Sequence, residues 1–97
     1  RVIYAPLVHE FLLSLTSRKT FDHITRIKNL LKSTPDMGRV YEPSYPATRP
    51  AIEFECRIIA VDWLNLYYSK NEAAQQIEIF FIESQRQDPQ KRFSKLN

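Results

Sequence analysis

The residues best suited to chemistry lie near the C-terminal end of the chain. Arg86, Lys91 and Arg92 are basic, and Phe93 follows them directly. Guanidinium and ammonium groups bind phosphates, and an aromatic ring can stack on an unpaired base. A solvated basic chain end has the same composition. The residues alone therefore leave open both a nucleic-acid contact and a simple basic tail.

Other residue types that carry chemistry are poorly arranged. His9 and His23 lie on different predicted helices, and the sequence offers no third metal ligand close to either. Glu53 and Glu55 alternate along a predicted strand, which is typical of a solvated strand face. Cys56 falls on the apolar face of the same strand and is expected in the core. We therefore expect no metal site and no catalytic acid–base pair among these residues.

Length and composition indicate one folded domain over residues 1–97. Of these residues 43% are hydrophobic and 26% are charged, which is ordinary for a globular chain. A single Gly excludes a glycine-rich phosphate loop, so no nucleotide cofactor is expected. A single Cys excludes an intrachain disulfide and indicates a reducing compartment. No segment approaches the roughly 18 apolar residues of a membrane span, so we expect no membrane contact and a cytoplasmic location.

The charge is unevenly distributed along the chain. Residues 1–39 have a net charge of +4, residues 40–85 of −4, and residues 86–97, the basic C-terminal tail, of +3. A polyanionic partner is therefore expected to contact the two basic ends rather than the acidic middle.

The first half of the sequence predicts a strand and two helices. Val2, Ile3 and Tyr4 are β-branched or aromatic and predict a strand over residues 2–5. Pro6 suits the first position of a helix that ends near Thr16. Thr20 is expected to cap a second helix, which ends at the turn of residues 35–38. The few residues between the helices favour an antiparallel helical hairpin.

The second half predicts three strands. Residues 39–51 contain three Pro residues and are expected to form a loop or an irregular edge. Alternation then predicts strands over residues 52–61 and 64–69, and residues 77–82, which are apolar on nearly both faces, predict a central strand covered by helices. This order favours an α+β fold, in which the N-terminal strand and helical hairpin pack on one face of a small, mainly antiparallel sheet. The sheet residues expected under the helices are Ile52, Phe54, Ile79 and Phe81.

The order and spacing of these elements resemble the RelE/ParE superfamily of bacterial type II toxins. In the first half the resemblance rests on the initial strand, on Pro6 opening a helix, and on the Pro-to-Gly turn at residues 35–38. In the second half it rests on a strand that begins with Arg57, a strand that ends in Tyr68, and the Ile77-Glu78-Ile79 strand followed by Arg86. The resemblance covers nearly the whole chain.

This resemblance implies a growth-inhibiting toxin that a cognate antitoxin wraps and holds inactive in a joint oligomer. One branch of the superfamily cleaves mRNA in the ribosomal A site, and another poisons DNA gyrase. For the nuclease branch the resemblance implies Arg57 and Arg86 as catalytic residues. The substrate-binding residues that it implies, including a ring that stacks on a base, are Tyr68, Lys91, Arg92 and Phe93.

The sequence also departs from the nuclease pattern. Its strands carry Glu53, Glu55 and Glu78, and Asn65 stands where the nuclease branch has an arginine. The ribosome with its mRNA, DNA gyrase, and a non-catalytic interaction partner therefore all remain open as targets, and so does enzymatic activity itself. A nuclease should bring Arg57 and Arg86 together on one sheet face. Both are expected on the surface, so that replacing either leaves the fold intact.

Overall fold

A computed structural model describes residues 1–41 and 55–86 of the chain. Its elements are β1 (Val2–Tyr4), α1 (Pro6–Ser14), α2 (Arg18–Leu31), β2 (Arg39–Val40), β3 (Glu55–Val61), β4 (Leu64–Asn71) and β5 (Gln76–Ser84). The five strands form one sheet in the order β1-β5-β4-β3-β2. Only the β1–β5 pair is parallel. The predicted α+β fold with a mainly antiparallel sheet is therefore confirmed.

The helix boundaries follow from local chemistry. Pro6 opens α1 as predicted, and α1 ends at Ser14, slightly before the expected Thr16. The predicted cap of α2 is wrong, because the Oγ of Ser17 accepts a hydrogen bond from the Thr20 backbone N–H at 3.2 Å. Thr20 instead lies buried inside the first turn of the helix. Ser17 can take this role because its hydroxyl satisfies an amide that the first turn leaves unpaired.

Both helices pack on the same face of the sheet. Val8 and Leu12 of α1 and Ile24 and Leu31 of α2 belong to one buried cluster. The strand residues in this cluster are Val2, Val61, Leu64, Leu66, Tyr68, Ile77, Ile79 and Ile82. The predicted packing of the helical hairpin on one sheet face is therefore confirmed.

The opposite face carries a second, largely aromatic cluster. Tyr67 pairs with Phe81 while Tyr68 pairs with Ile79, so Phe80 is an extra residue in β5. Because such a bulge sets two residues against one, both Phe80 and Phe81 pack with Tyr67 on the face opposite the helices. The expectation that Phe81 packs under the helices is therefore wrong. Ile52 and Phe54, predicted beside it, lie outside the described residues.

Residues 39–51, predicted to be a loop or irregular edge, begin with a short strand. Arg39 and Val40 pair with Ile58 and Arg57 as β2. This pairing draws the segment after α2 onto β3, which positions the site described below. Within the described ranges, no helix has the length and apolar character needed to cross a bilayer.

Candidate functional site

The side chains that could bind a ligand or take part in chemistry form two groups, at opposite ends of the β3–β4 pair. The first group, here called the loop anchor, consists of Arg57, Tyr68 and Lys70 with the 35–38 loop that they hold. Arg57 and Tyr68 are cross-strand partners and therefore share a sheet face. Lys70 lies two residues beyond Tyr68 in the same strand and projects to that face as well.

The guanidinium group of Arg57 is fully engaged by its surroundings. Its Nη1 donates to the carbonyl oxygen of Gly38 at 2.6 Å and to that of Asp36 at 3.2 Å. Its Nε lies 3.2 Å from the Glu55 carboxylate and 3.7 Å from the Asp36 carboxylate. The side chain is only 16% exposed. The expectation of a surface arginine that can be replaced without structural cost is therefore wrong for Arg57.

Tyr68 also holds the 35–38 loop, through two hydrogen bonds of its hydroxyl group. Its hydroxyl donates to the Pro35 carbonyl oxygen at 2.8 Å and accepts from the Gly38 N–H at 3.0 Å. The residue is fully buried, and this desolvation raises the pKa of the phenol. The ring therefore presents no exposed face to a base in this conformation.

Gly38 allows the loop to lie this close to the sheet. A Cβ at this position would stand 2.9 Å from Ile59 Cγ1 and 2.9 Å from both Cε1 and Oη of Tyr68. The site requires the chain's single glycine because any side chain would collide with the strand residues beneath it. The sequence indicated a turn here, but the close approach depends on the tertiary packing.

Lys70 and Asp36 complete the loop anchor. The Lys70 ammonium pairs with the Asp36 carboxylate and lies 3.2 Å from that of Glu72. The hydrogen bond from Lys70 lowers the pKa of Asp36, and the same bond raises the pKa of Lys70. A cleft of about 530 Å³ beside them is lined by charges of both signs, including Lys32 and Glu72. Sequence reasoning placed Lys70 in a loop, although the alternation after Tyr68 could have extended the strand.

The second group, here called the hairpin anchor, fixes the two-residue turn between β3 and β4. His23 Nδ1 lies 2.9 Å from both carboxylate oxygens of Asp62. Gln85 Nε2 donates to the carbonyl oxygens of Asp62 and Leu64 at 3.1 and 3.0 Å. The hydrogen bond with His23 lowers the pKa of Asp62. Asp62 has a φ of 54°, a left-handed conformation that these contacts maintain.

This turn presents an aromatic ring to solvent. Trp63 follows Asp62 and is 50% exposed. A groove of about 370 Å³ between α2 and β3 ends at Asp62. The residues that line it are His23, Arg26, Ile27, Leu30, Ala60, Val61 and Asp62. Sequence reasoning did not single out Trp63, because a turn residue gives no periodic signal.

Arg86 lies at the hairpin end of the sheet, apart from Arg57. Register aligns Arg57 with Tyr68 and Ile79, whereas Arg86 follows the last strand residue, Ser84. At about 3.3 Å per residue, Ile79 and Ser84 alone are roughly 15 Å apart. The structure does not bring the two arginines together. Lys91, Arg92 and Phe93, and with them all of the 86–97 tail beyond Arg86, lie outside the described residues.

A buried polar pair on the opposite sheet face was not predicted. The Tyr67 hydroxyl donates to Glu83 Oε1 at 2.5 Å, and both residues are buried. Glu83 directly follows the predicted strand of residues 77–82, and nothing in the sequence indicated that its side chain is buried. Among residues 1–41 and 55–86, no three His, Cys, Asp or Glu side chains form a group that could hold a metal ion.

Comparison with known proteins gives one informative result. No family model matches the chain, and no curated protein matches its sequence. Among solved structures, a chain of the archaeal RelE–RelB complex from Pyrococcus horikoshii OT3 superposes with a TM-score of 0.73. The match covers 91% of this chain and 97% of that chain at 15% sequence identity. The likeness therefore lies in the fold, and the chain has the RelE-type fold that its order of elements predicted.

Proposed function

We propose that this chain is the toxin of a type II toxin–antitoxin pair and binds a cognate antitoxin. The observation that carries the proposal is the RelE-type fold, matched over 91% of the chain to a structure determined as a RelE–RelB complex. The order of elements in the sequence supports the same assignment independently of that match. A growth-inhibiting protein of this kind needs a partner that keeps it inactive.

The two edges of the described sheet suit a partner that adds a strand through backbone hydrogen bonds. The outer strands are β1, with three residues, and β2, with two. β1 pairs only with residues 77–79 of β5, and β2 only with residues 57 and 58 of β3. Among the described residues, the rest of the outer edge of these longer strands therefore keeps backbone N–H and C=O groups that an extended segment of an antitoxin can pair with.

Co-expression with the product of the neighbouring gene tests this proposal. We expect a complex that survives purification, and growth arrest when the chain is expressed without that partner. The control is the partner expressed alone, which should leave growth unchanged. If no partner co-purifies and growth is unaffected, the toxin assignment fails and the non-catalytic interaction module replaces it.

For the toxic activity we propose ribosome-dependent mRNA cleavage, in which one of the two separated arginines, Arg86 or Arg57, stabilises charge on the scissile phosphate. Arg86 is exposed, and its guanidinium makes no hydrogen bond or ion pair with the described residues. Arg57 would first have to leave its carbonyl and carboxylate partners. Lys91, Arg92 and Phe93 are proposed to bind the RNA, whereas Tyr68, whose ring is buried, would contact it only after the 35–38 loop moves. Because Arg86 is unpaired among the described residues, it is the stronger of the two catalytic candidates.

Mapping of mRNA ends in a translation extract tests this activity. We expect Arg86→Ala to abolish A-site cuts and to keep the wild-type circular-dichroism spectrum. Arg57→Ala would loosen the 35–38 loop, so Asp36→Asn serves as its control, since it weakens the same loop and keeps the guanidinium. Loss of cutting in Arg57→Ala but not in Asp36→Asn would support a direct role for Arg57.

The alternative target is DNA gyrase, with the basic residues of α2 as its contact. If inhibitory concentrations produce no A-site cuts, the nuclease proposal fails. Induction of a DNA-damage response would then support gyrase inhibition, and its absence would support a toxin that acts by binding alone.

A further inference from the structure

The hairpin anchor and the adjacent side of α2 form a surface with an exposed ring and with positive charge that is unpaired among the described residues. Trp63 is half-exposed at the tip of a turn that His23 holds through the Asp62 carboxylate and that Gln85 holds through the backbone. Three hydrogen bonds from Gln85 reach this turn, including one from its backbone N–H to the Trp63 carbonyl oxygen at 3.1 Å. The indole is therefore presented from a fixed backbone rather than from a loose loop.

The cations near this turn are available, and the anions are not. Lys19, Arg26 and Arg86 are exposed, and within residues 1–41 and 55–86 their side chains make no hydrogen bond or ion pair. Asp62 is paired with His23, and Asp22 lies 3.3 Å from Arg18. The surface around Trp63 therefore carries a net positive charge that a polyanion can neutralise.

The groove between α2 and β3 provides room next to the turn, since Asp62 is one of its lining residues. It measures about 370 Å³, ends at Asp62, and combines the cation of Arg26 with the apolar side chains of Ile27 and Leu30. A polynucleotide matches both features of the groove, because its phosphates pair with cations and its bases pack on apolar and aromatic surfaces. A duplex suits this surface less well, because stacking on Trp63 would require one of its bases to leave the helix.

We propose that this surface binds single-stranded RNA, with Trp63 stacked on an unpaired base and Lys19, Arg26 and Arg86 in contact with phosphates. The proposal rests on the proposed function for the choice of RNA over DNA. It assigns RNA contact to the hairpin end of the sheet, away from Arg57, and it does not require cleavage.

Trp63 is the chain's only tryptophan, so its fluorescence reports on this turn alone. We expect short oligo(A) RNA to quench the emission in a saturable titration, and added salt to weaken the binding. In anisotropy measurements with labelled RNA, Trp63→Ala should weaken binding by about five- to a hundredfold. Lys19→Ala should lower the slope of log affinity against log salt by about 0.7.

Leu13→Ala is the matched control, because Leu13 is 75% exposed on α1 and carries no charge. It should bind RNA as the wild type does, and Trp63→Phe, which keeps a ring, should fall between wild type and Trp63→Ala. Absence of quenching, or equal losses in Trp63→Ala and Leu13→Ala, would overturn the proposal. Quenching by an acidic peptide but not by RNA would reassign the surface to a protein partner. Oligo(dA) of the same length is titrated in parallel, and its tighter binding would overturn the choice of RNA. These measurements need neither antitoxin nor growth arrest, so their failure is distinct from failure of the toxin assignment.

Discussion

The loop anchor and the hairpin anchor contain the same kinds of residue and use them in opposite ways. Each combines a turn, an aromatic ring, an aspartate and nearby cations at one end of the β3–β4 pair. At the loop anchor Tyr68 is fully buried and Arg57 and Lys70 are paired with carboxylates. At the hairpin anchor Trp63 is half-exposed and the nearby cations are unpaired among the described residues. A count of basic and aromatic residues therefore does not identify a binding surface, because pairing decides which of them are available.

Position in the strand explains the difference. Tyr68 lies inside β4 on the face that the helices cover, so its hydroxyl must find partners in the protein. Those partners are the backbone groups of the 35–38 loop. Trp63 lies in the turn, beyond the last covered residues, and water can still reach its ring. We therefore expect substitutions in the loop anchor to have the larger effect on the free energy of unfolding. Substitutions in the hairpin anchor should have the larger effect on RNA affinity.

Gly38→Ala should have the strongest effect on folding. The new methyl group would overlap Tyr68 and Ile59, and we expect the free energy of unfolding to fall by about 1–3 kcal/mol. Urea denaturation followed by circular dichroism measures the change. Ala60→Val, which adds bulk at an exposed strand position, is the control and should leave the midpoint nearly unchanged. An unchanged midpoint for Gly38→Ala would contradict the close approach of the loop.

Tyr68→Phe should destabilise the protein by about 2 kcal/mol, because it leaves the buried Gly38 N–H without its acceptor. Tyr4→Phe is the matched control. The Tyr4 hydroxyl makes no hydrogen bond with the described residues, and the ring keeps its contact with Lys28 at 4.5 Å from the centroid. Equal midpoints for the two variants in urea would show that the Tyr68 hydroxyl contributes nothing.

Asp36→Asn should reduce the acid sensitivity of the fold. The pKa of Asp36 is lowered from 3.8 by Lys70, so its contribution is present above pH about 4 and is lost as pH falls through the lower folded value. Thermal melts between neutral pH and pH 3 should therefore converge for wild type and variant at the acidic end. If the melting temperatures of wild type and variant differed by the same amount at every pH, this would argue against the Asp36–Lys70 ion pair.

Asp62→Asn should change acid sensitivity in the same direction and by less. The pKa of Asp62 is also lowered from 3.8, here by His23, so its contribution is likewise lost in acid. The amide oxygen can still accept from His23, asparagine tolerates the left-handed backbone, and Gln85 still holds the turn. The same melts measure this effect. A larger change than that of Asp36→Asn would reverse the assignment of stability to the loop anchor.

The sequence predicted the element types and their order because hydrophobic periodicity depends on local geometry. Apolar residues at helical spacing predicted α1 and α2, alternation predicted β3 and β4, and an apolar run predicted β5. The single packing face of the helices followed from their apolar stripes. The structure differs from the sequence prediction where tertiary contacts override the local pattern. The bulge at Phe80 turned Phe81 to the opposite face, and pairing with β3 made a strand of Arg39 and Val40.

The candidate site was less predictable than the fold. The sequence by itself determined that Arg57 and Arg86 are permanently charged and that the chain has one tryptophan and one glycine. Only the tertiary structure decided that the backbone carbonyls of Asp36 and Gly38, 21 and 19 positions before Arg57, join the neighbouring Glu55 in engaging its guanidinium, and that Arg86 lies near the other end of the sheet. Electrostatic interactions depend on distances in space, and strand register together with loop placement sets those distances. Local sequence spacing does not encode them, and so it could not separate an engaged arginine from an available one.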